Sequence, residues 1–264
     1  MGLKKGDNMK ILLISGHGAG DSGACATIKG VKYKEATETI TMVKLIEKEL
    51  KKYADVDIYP TDRNAFQDIK NGCLKINFKN YDYVLEVHFN ACVNDLKGNG
   101  KTTGTEIYVP KSESVTDTEK AIVNAIAKFG LKNRGVQKYN WTVITRAHNV
   151  GVQSSLIEIC FIDDADDMKI YNAKKEEIAQ AIADAIISTN NLKADKPKSK
   201  TSNTFKVKCL DNLNVRKSPN GDIVIKNGAL KGTVYTIVDV SGTWGKLKSG
   251  AGWISISPKY VKRV

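Results

Sequence analysis

The stretch ILLISGHGAGDSGACATIKG, Ile11–Gly30, decides how the chain is read. An apolar run, KILLIS, ends in a loop holding Gly18, Gly20 and Gly23 at the spacing of a dinucleotide-binding fingerprint, with His17 in its midst. A phosphate-binding loop must lead straight into a helix, whose free N–H groups and dipole meet the anion. Here the next helical periodicity starts only around Glu35, and no second strand ends in an acidic residue about 20 positions on. The nucleotide reading fails on context. The glycines are expected to give the backbone freedom to turn His17 inward from a strand end.

Working outward, apolar runs alternate with helical patterns: KILLIS, EATETITMVKLIEKELKKY, VDIY, YDYVLEVHF, GTEIYV, TEKAIVNAIAKFG, WTVIT, SSLIEICF and KKEEIAQAIADAIIS. Such alternation predicts an α/β domain with a mainly parallel twisted sheet flanked by helices. From Phe205 the pattern changes to short strands parted by glycine turns, which predicts a small all-β barrel. The expected division is a first domain over residues 1–191, a Lys-, Ser- and Thr-rich linker with Pro197 over 192–204, and a second domain over 205–264.

The chain has 264 residues, 41% hydrophobic and 27% charged, which excludes disorder throughout. Its net charge is +12, and Lys193–Val264 carries +11 of it, with 15 basic and 4 acidic residues. A basic tail calls for a polyanionic partner: nucleic acid, an anionic lipid surface or an acidic wall polymer. No aromatic-basic motif of a nucleic-acid fold is present, so nucleic acid is not expected. No apolar segment reaches the roughly 20 residues of a membrane span, so no membrane insertion is expected. The opening MGLKKGDNMK lacks the features of a secretory signal, and the expectation is a protein made in a cytoplasm. Five cysteines without CxxC pairs, Cys25, Cys73, Cys92, Cys160 and Cys209, are read as free thiols. Cys25, Cys92 and Cys160 are expected to be small buried fillers.

In open α/β sheets ligands bind beyond the carboxyl ends of the strands. His17, His88 and Glu158 all lie at or near such ends, and converge on one rim if their strands are parallel neighbours. Glu35, at the start of the first long helix, can face back to the same rim. Two imidazoles and a carboxylate make a hydrolytic zinc set, leaving the ion enough positive charge to acidify a water. A further carboxylate must then carry protons, and Glu158 is the candidate. Glu38, one turn beyond Glu35 on the same helix face, is a rival ligand. Glu86, two residues before His88, fits a site role or a plain polar strand position equally well. His148, in TRAHNVG, is expected to be a solvated loop histidine.

These residues carry a resemblance. GHG with His17, the glutamate 18 residues later, EVHFNA with His88, and LIEICFIDDADD with Glu158 stand in the order of the signatures of zinc-dependent N-acetylmuramoyl-L-alanine amidases. The resemblance covers Met9 to Asn191. It implies that His17, Glu35 and His88 bind Zn²⁺, that Glu158 is the catalytic carboxylate, and that the substrate is bacterial peptidoglycan. The bond cut would be the amide between N-acetylmuramic acid and L-alanine of the stem peptide. LNVRKSP and the late GWIS of Phe205 to Val264 resemble bacterial SH3-like wall-binding modules. Tyr235, Trp244, Trp253 and Tyr260 would line a groove there, at least half of them serving as core. An anionic wall polymer is a further expected partner of this tail. Together with the missing signal, the pairing resembles a phage endolysin, expected as a monomer that acts on the wall once the membrane is permeabilised. Two rivals stand: a wall cysteine peptidase using Cys25 or Cys92 with His88, and a non-enzymatic wall-binding protein.

Overall fold

The computed structural model describes residues 9–194 and 204–264, and the chain divides into two compact units, 1–195 and 196–264. Most of the linker expected over 192–204, including Pro197, lies outside the described residues. Among the described residues, no helix is long and apolar enough to cross a membrane.

The first unit contains β1 (Lys10–Ser15), β2 (Cys25–Ile28), β3 (Val31–Lys34), α1 (Glu35–Leu50), β4 (Asp55–Ile58), α2 (Ala65–Lys70) and β5 (Tyr83–Asn90). It continues with β6 (Thr105–Val109), α3 (Asp117–Ala127), β7 (Asn133–Lys138), α4 (Thr142–His148), β8 (Gln153–Phe161) and α5 (Ala165–Thr189). Six strands form one sheet in the order β4-β1-β5-β8-β6-β7. The pairings β1–β4, β1–β5 and β5–β8 are parallel, β6 runs antiparallel to β8, and β7 is parallel to β6.

Both sheet faces are covered, which is why the central strands are apolar almost without interruption. On one face Ile11, Leu13, Leu85, Val87, Ile157 and Ile159 pack against Met42, Val43 and Ile46 of α1, Ile122 and Ile126 of α3, and Ile178 and Ile182 of α5. On the other, Leu12, Ile14 and Val84 meet Ala65 of α2 and Val143 and Ala147 of α4. Side chains alternate along a strand, so Glu86 and His88 share the second face with Val84, and Glu158 shares it with Leu156. The site lies on that face, where the apolar cover ends and polar side chains begin.

Several expectations are corrected. WTVIT, placed among the strand-like runs, lies mostly in helix α4, while the strand after α3 is the nearly apolar-free NRGVQK. Trp141 is the N-cap of α4, and Val143 and Ile144, with Ala147, form its buried stripe, a helical spacing that a five-residue window does not reveal. CATI and VKYK, inside what read as loop, pair as a short antiparallel hairpin delivering the chain to Glu35. Helix α5 begins at Ala165, because Asp164 caps it by accepting from the N–H groups of Asp166 and Asp167.

The second unit is all-β. Its strands β9 (Phe205–Cys209), β10 (Leu213–Arg216), β11 (Ile223–Ala229), β12 (Val234–Ser241), β13 (Trp244–Leu247), β14 (Trp253–Ser255) and β15 (Val261–Arg263) form one sheet ordered β11-β10-β14-β13-β12-β9-β15. Every pairing in it is antiparallel. Its core holds Val207, Cys209, Leu213, Val215, Ile237, Leu247, Ile254 and Val261, with Tyr235 and Tyr260 packed on the edge. Trp244 and Trp253 are half-buried outside that core, and Arg216 lies over the Trp244 ring at 5.6 Å.

Candidate functional site

The parallel run of β1, β5 and β8 carries their carboxyl ends to one rim. His88 and Glu158 face each other in register across β5 and β8, and Glu106 of β6 faces Glu158 from the other side. His17 follows β1 on the adjoining loop. Glu35 is the first residue of α1, where the helix dipole favours a carboxylate. It is buried, and backbone N–H groups of Ala24 and Phe89 donate to its two oxygens at 2.9 and 3.0 Å.

Glu35 bridges the two imidazoles: its Oε2 lies 3.2 Å from His17 Nε2 and its Oε1 lies 2.9 Å from His88 Nδ1. Ligand atoms of His17, Glu35 and His88 all lie within 4.8 Å of one another. Each ring has its second nitrogen on a carboxylate of its own. His17 Nδ1 donates to Asp21 Oδ2 at 2.8 Å, and His88 Nε2 is 3.3 Å from Glu86 Oε1. Asp21 is in turn held by Asn64 Nδ2 at 3.1 Å and by the N–H of Gly23 at 3.0 Å, while Asn64 also caps α2. These outer carboxylates select which ring nitrogen faces the centre: Nε2 of His17, Nδ1 of His88.

The electrostatics are those of a cation site. Glu35, Glu86, Glu106 and Glu158 are all buried, and Arg134, 3.2 Å from Glu106, is the cation paired with one of them. Burial alone raises the Glu35 carboxyl, but hydrogen bonds to His17 and His88 outweigh it and hold the group far below the usual range. Burial lowers the His88 ring, yet Glu35 and Glu86 push it well above its ordinary value. Glu158 is pushed up to about 7 by burial and by Glu35, Glu106 and Glu86, against the opposing pull of His88. Its Oε2 is buried without a hydrogen-bond partner. A two-histidine, one-carboxylate donor set beside an orphaned acid oxygen fits Zn²⁺, whose hydrolytic sites take three protein ligands and leave a position open.

Two glycines of the opening loop make room for this cluster. A Cβ on Gly16 would run into the His88 ring, and one on Gly23, which has φ +60°, would sit 2.7 Å from both Glu35 Oε2 and His17 Cδ2. Their role is space at the donors as much as a hinge for His17.

Of the remaining candidates, Glu38 lies apart from the cluster, and His148, Cys25 and Cys92 are placed differently from expectation. Glu38 accepts from the Tyr171 hydroxyl at 3.0 Å and is not part of the cluster. His148 is no solvated loop residue: it ends α4, with Nδ1 3.3 Å from Glu113 Oε2 of a buried carboxyl pushed up to about 7 by burial. Cys25 and Cys92 are exposed, and of the three thiols expected as buried fillers only Cys160 is buried. Cys25 opens the hairpin strand β2 with its side chain exposed, and Cys92 lies on the loop after β5. Cys209, in the second unit's core, is also buried.

Sequence reasoning missed what IDDADD does. Asp163 Oδ2 accepts from the N–H groups of Cys92, Val93 and Asn94 at 2.8–2.9 Å. Asp164 takes Thr103, Asp166 takes Asn99 and Gly100, and Asp167 takes Gly104 and Phe161. Four acidic side chains on either side of Ala165 thus tie down the long β5–β6 connection beside the site. Asn90 was also missed; its Nδ2 donates to Glu106 at 2.8 Å.

An α/β scaffold presenting two histidines at strand ends and a glutamate at a helix start, with an acid one strand away, defines a hydrolase fold of the peptidoglycan-amidase class. The chain belongs to the N-acetylmuramoyl-L-alanine amidase family, whose model matches residues 11–188. An uncharacterised protein of Clostridium perfringens (strain 13 / Type A) is 27% identical over 226 residues, covering 80% of this chain and 64% of that one, so the chain spans about two-thirds or less of that relative's length. The catalytic domain of CwlV, an N-acetylmuramoyl-L-alanine amidase from Bacillus (Paenibacillus) polymyxa var. colistinus, is 25% identical with a TM-score of 0.53, over 70% of this chain and 100% of that one. The catalytic domain of the CD27L endolysin targeting Clostridia difficile shares the fold at 24% identity and a TM-score of 0.52, over 69% and 99%.

Proposed function

We propose that this protein is a zinc-dependent N-acetylmuramoyl-L-alanine amidase that cuts peptidoglycan between N-acetylmuramic acid and L-alanine. The observation that carries the reading is the convergence of His17, Glu35 and His88 on one point with Glu158 in register beside His88. His17 Nε2, a Glu35 oxygen and His88 Nδ1 would hold the ion, which supplies Lewis-acid polarisation of the scissile carbonyl and activation of water. Asp21 and Glu86 hold the outer ring nitrogens so that the inner ones are free to ligate. Glu158 would take the proton given up by the attacking water at its unpartnered Oε2 and deliver it to the departing L-alanine amine, a task suited to a carboxyl poised near neutrality. Thr105 Oγ1 donates to the Glu158 carbonyl at 2.9 Å and steadies its strand.

The second unit, in this reading, is an SH3-like wall-binding module whose lysines favour an anionic wall polymer. The endolysin character of the CD27L relative supports a role in host lysis, with the protein accumulating in the host cytoplasm before it reaches the wall. Digestion of purified peptidoglycan tests the activity. New N-terminal L-alanine, lost with a chelator and restored by Zn²⁺, is the expected result. A cleaved cross-bridge, or loss of activity on alkylating Cys25 or Cys92, would establish the peptidase instead, and wall binding without new ends would establish a non-enzymatic protein.

A further inference from the structure

Beyond the catalytic row lies a cluster of aromatic side chains that neither hydrophobic core uses. Tyr108 is two residues along β6 from Glu106 and projects from the same sheet face, about 7 Å farther by strand rise. Its ring meets Trp141 edge-on at 6.0 Å between centroids, and Trp141 meets Tyr139 at 4.7 Å. Tyr139 is 49% exposed and Trp141 is 41% exposed. Contiguous exposed apolar rings are the kind of surface that binds a ligand.

The platform is rigidly built. Tyr139 N–H donates to the Val109 carbonyl at 2.9 Å, Trp141 N–H donates to Tyr139 O at 3.0 Å, and Asn140 Oδ1 accepts from Lys111 N–H at 2.8 Å. The turn carrying the rings is therefore tied to the strand that carries Glu106. Tyr108 stands beside Glu106 on one face of β6, opposite Leu156 of β8, and its ring joins the platform to the catalytic row.

We infer that Tyr139 and Trp141 form a subsite for a pyranose ring of the glycan strand, beyond the sugar that bears the scissile amide. The inference rests on the amidase reading above. On one side of that bond runs a glycan strand, whose pyranose rings offer flat C–H faces to stack on exposed aromatic rings; on the other runs a stem peptide that begins with alanine. By strand rise Tyr108 stands about 7 Å along β6 from Glu106, and Trp141 lies past it, its ring centroid 6.0 Å from that of Tyr108.

The test compares two substrates in the full chain: a muropeptide on a single N-acetylmuramic acid, and the same peptide on a glycan oligomer. In W141A and Y139A, KM for the oligomer is expected to rise about 3- to 10-fold with kcat unchanged, while the single-sugar substrate is cleaved as before. W141F should restore part of the loss. A peptide-free glycan oligomer should inhibit the wild type competitively and W141A less. Equal effects on both substrates, no effect on either, or a loss that follows peptide length would overturn the subsite. If the wild type frees no L-alanine ends from either substrate, the amidase reading itself fails and takes the subsite with it.

Discussion

Replacing Glu158 by glutamine separates catalysis from stability in opposite directions. In the native fold this carboxyl is 9% exposed and pushed up to about 7, against an ordinary value of 4.5. A carboxyl raised by folding favours the protonated form, so its contribution to stability is fully present below the unfolded value and is lost as pH climbs through 7. By linkage the wild type is penalised by about 3 kcal/mol at pH 8 relative to pH 4. Glutamine keeps the shape without the charge, and relieves that penalty. In protein stripped with a chelator, E158Q should melt about 6–12 °C above the wild type at pH 8, with the gap closing towards pH 4. Under the proposed mechanism the same variant loses its proton carrier, so the release of L-alanine ends should fall about 10²–10⁴-fold while zinc binding persists. Differential scanning calorimetry across pH, bound-zinc analysis and an amine-release assay read the three consequences. Near-normal activity would refute the catalytic role, and a variant no more stable at pH 8 would refute the account of a buried, repelled carboxyl.

Three further outcomes follow from the site's supports. G23A places a methyl against Glu35 and His17 at a positive φ, and should lose most bound zinc as measured on the purified protein. D21N removes the carboxylate on His17 Nδ1, and competition with a chromophoric chelator should show zinc affinity down about 10- to 100-fold with the melting temperature nearly unchanged. D164A strips both the cap of α5 and the anchor of Thr103, and should cost about 1–3 kcal/mol in denaturant unfolding, with faster amide exchange in residues 91–104.

Much of the architecture was legible because its signals are local. Strand ends at Ser15 and Phe161, the end of β5 to within one residue of Asn90, and the helix start at Glu35 follow from periodicity and apolar runs without any long-range information. The glycine spacing misled only until its helix was sought and found missing. Where reading went wrong, the deciding contacts lay far apart in the chain. WTVIT became a helix because its buried stripe packs under the sheet, and NRGVQK became a strand because β6 offered an edge, despite having little apolar character.

The sequence by itself determined the alternating α/β order, the all-β character of the tail, and the set His17, Glu35, His88 and Glu158 at element ends, since patterning and end chemistry are properties of neighbouring residues. Only the tertiary structure decided that Glu35 rather than Glu38 joins the histidines and that Asp21 and Glu86 choose their ring nitrogens. It alone turned β6 antiparallel, setting Glu106 opposite Glu158, and assigned IDDADD to holding the neighbouring loop. Those outcomes depend on which distant strands and loops meet. A carboxylate's partner is fixed by three-dimensional proximity, which linear spacing does not encode.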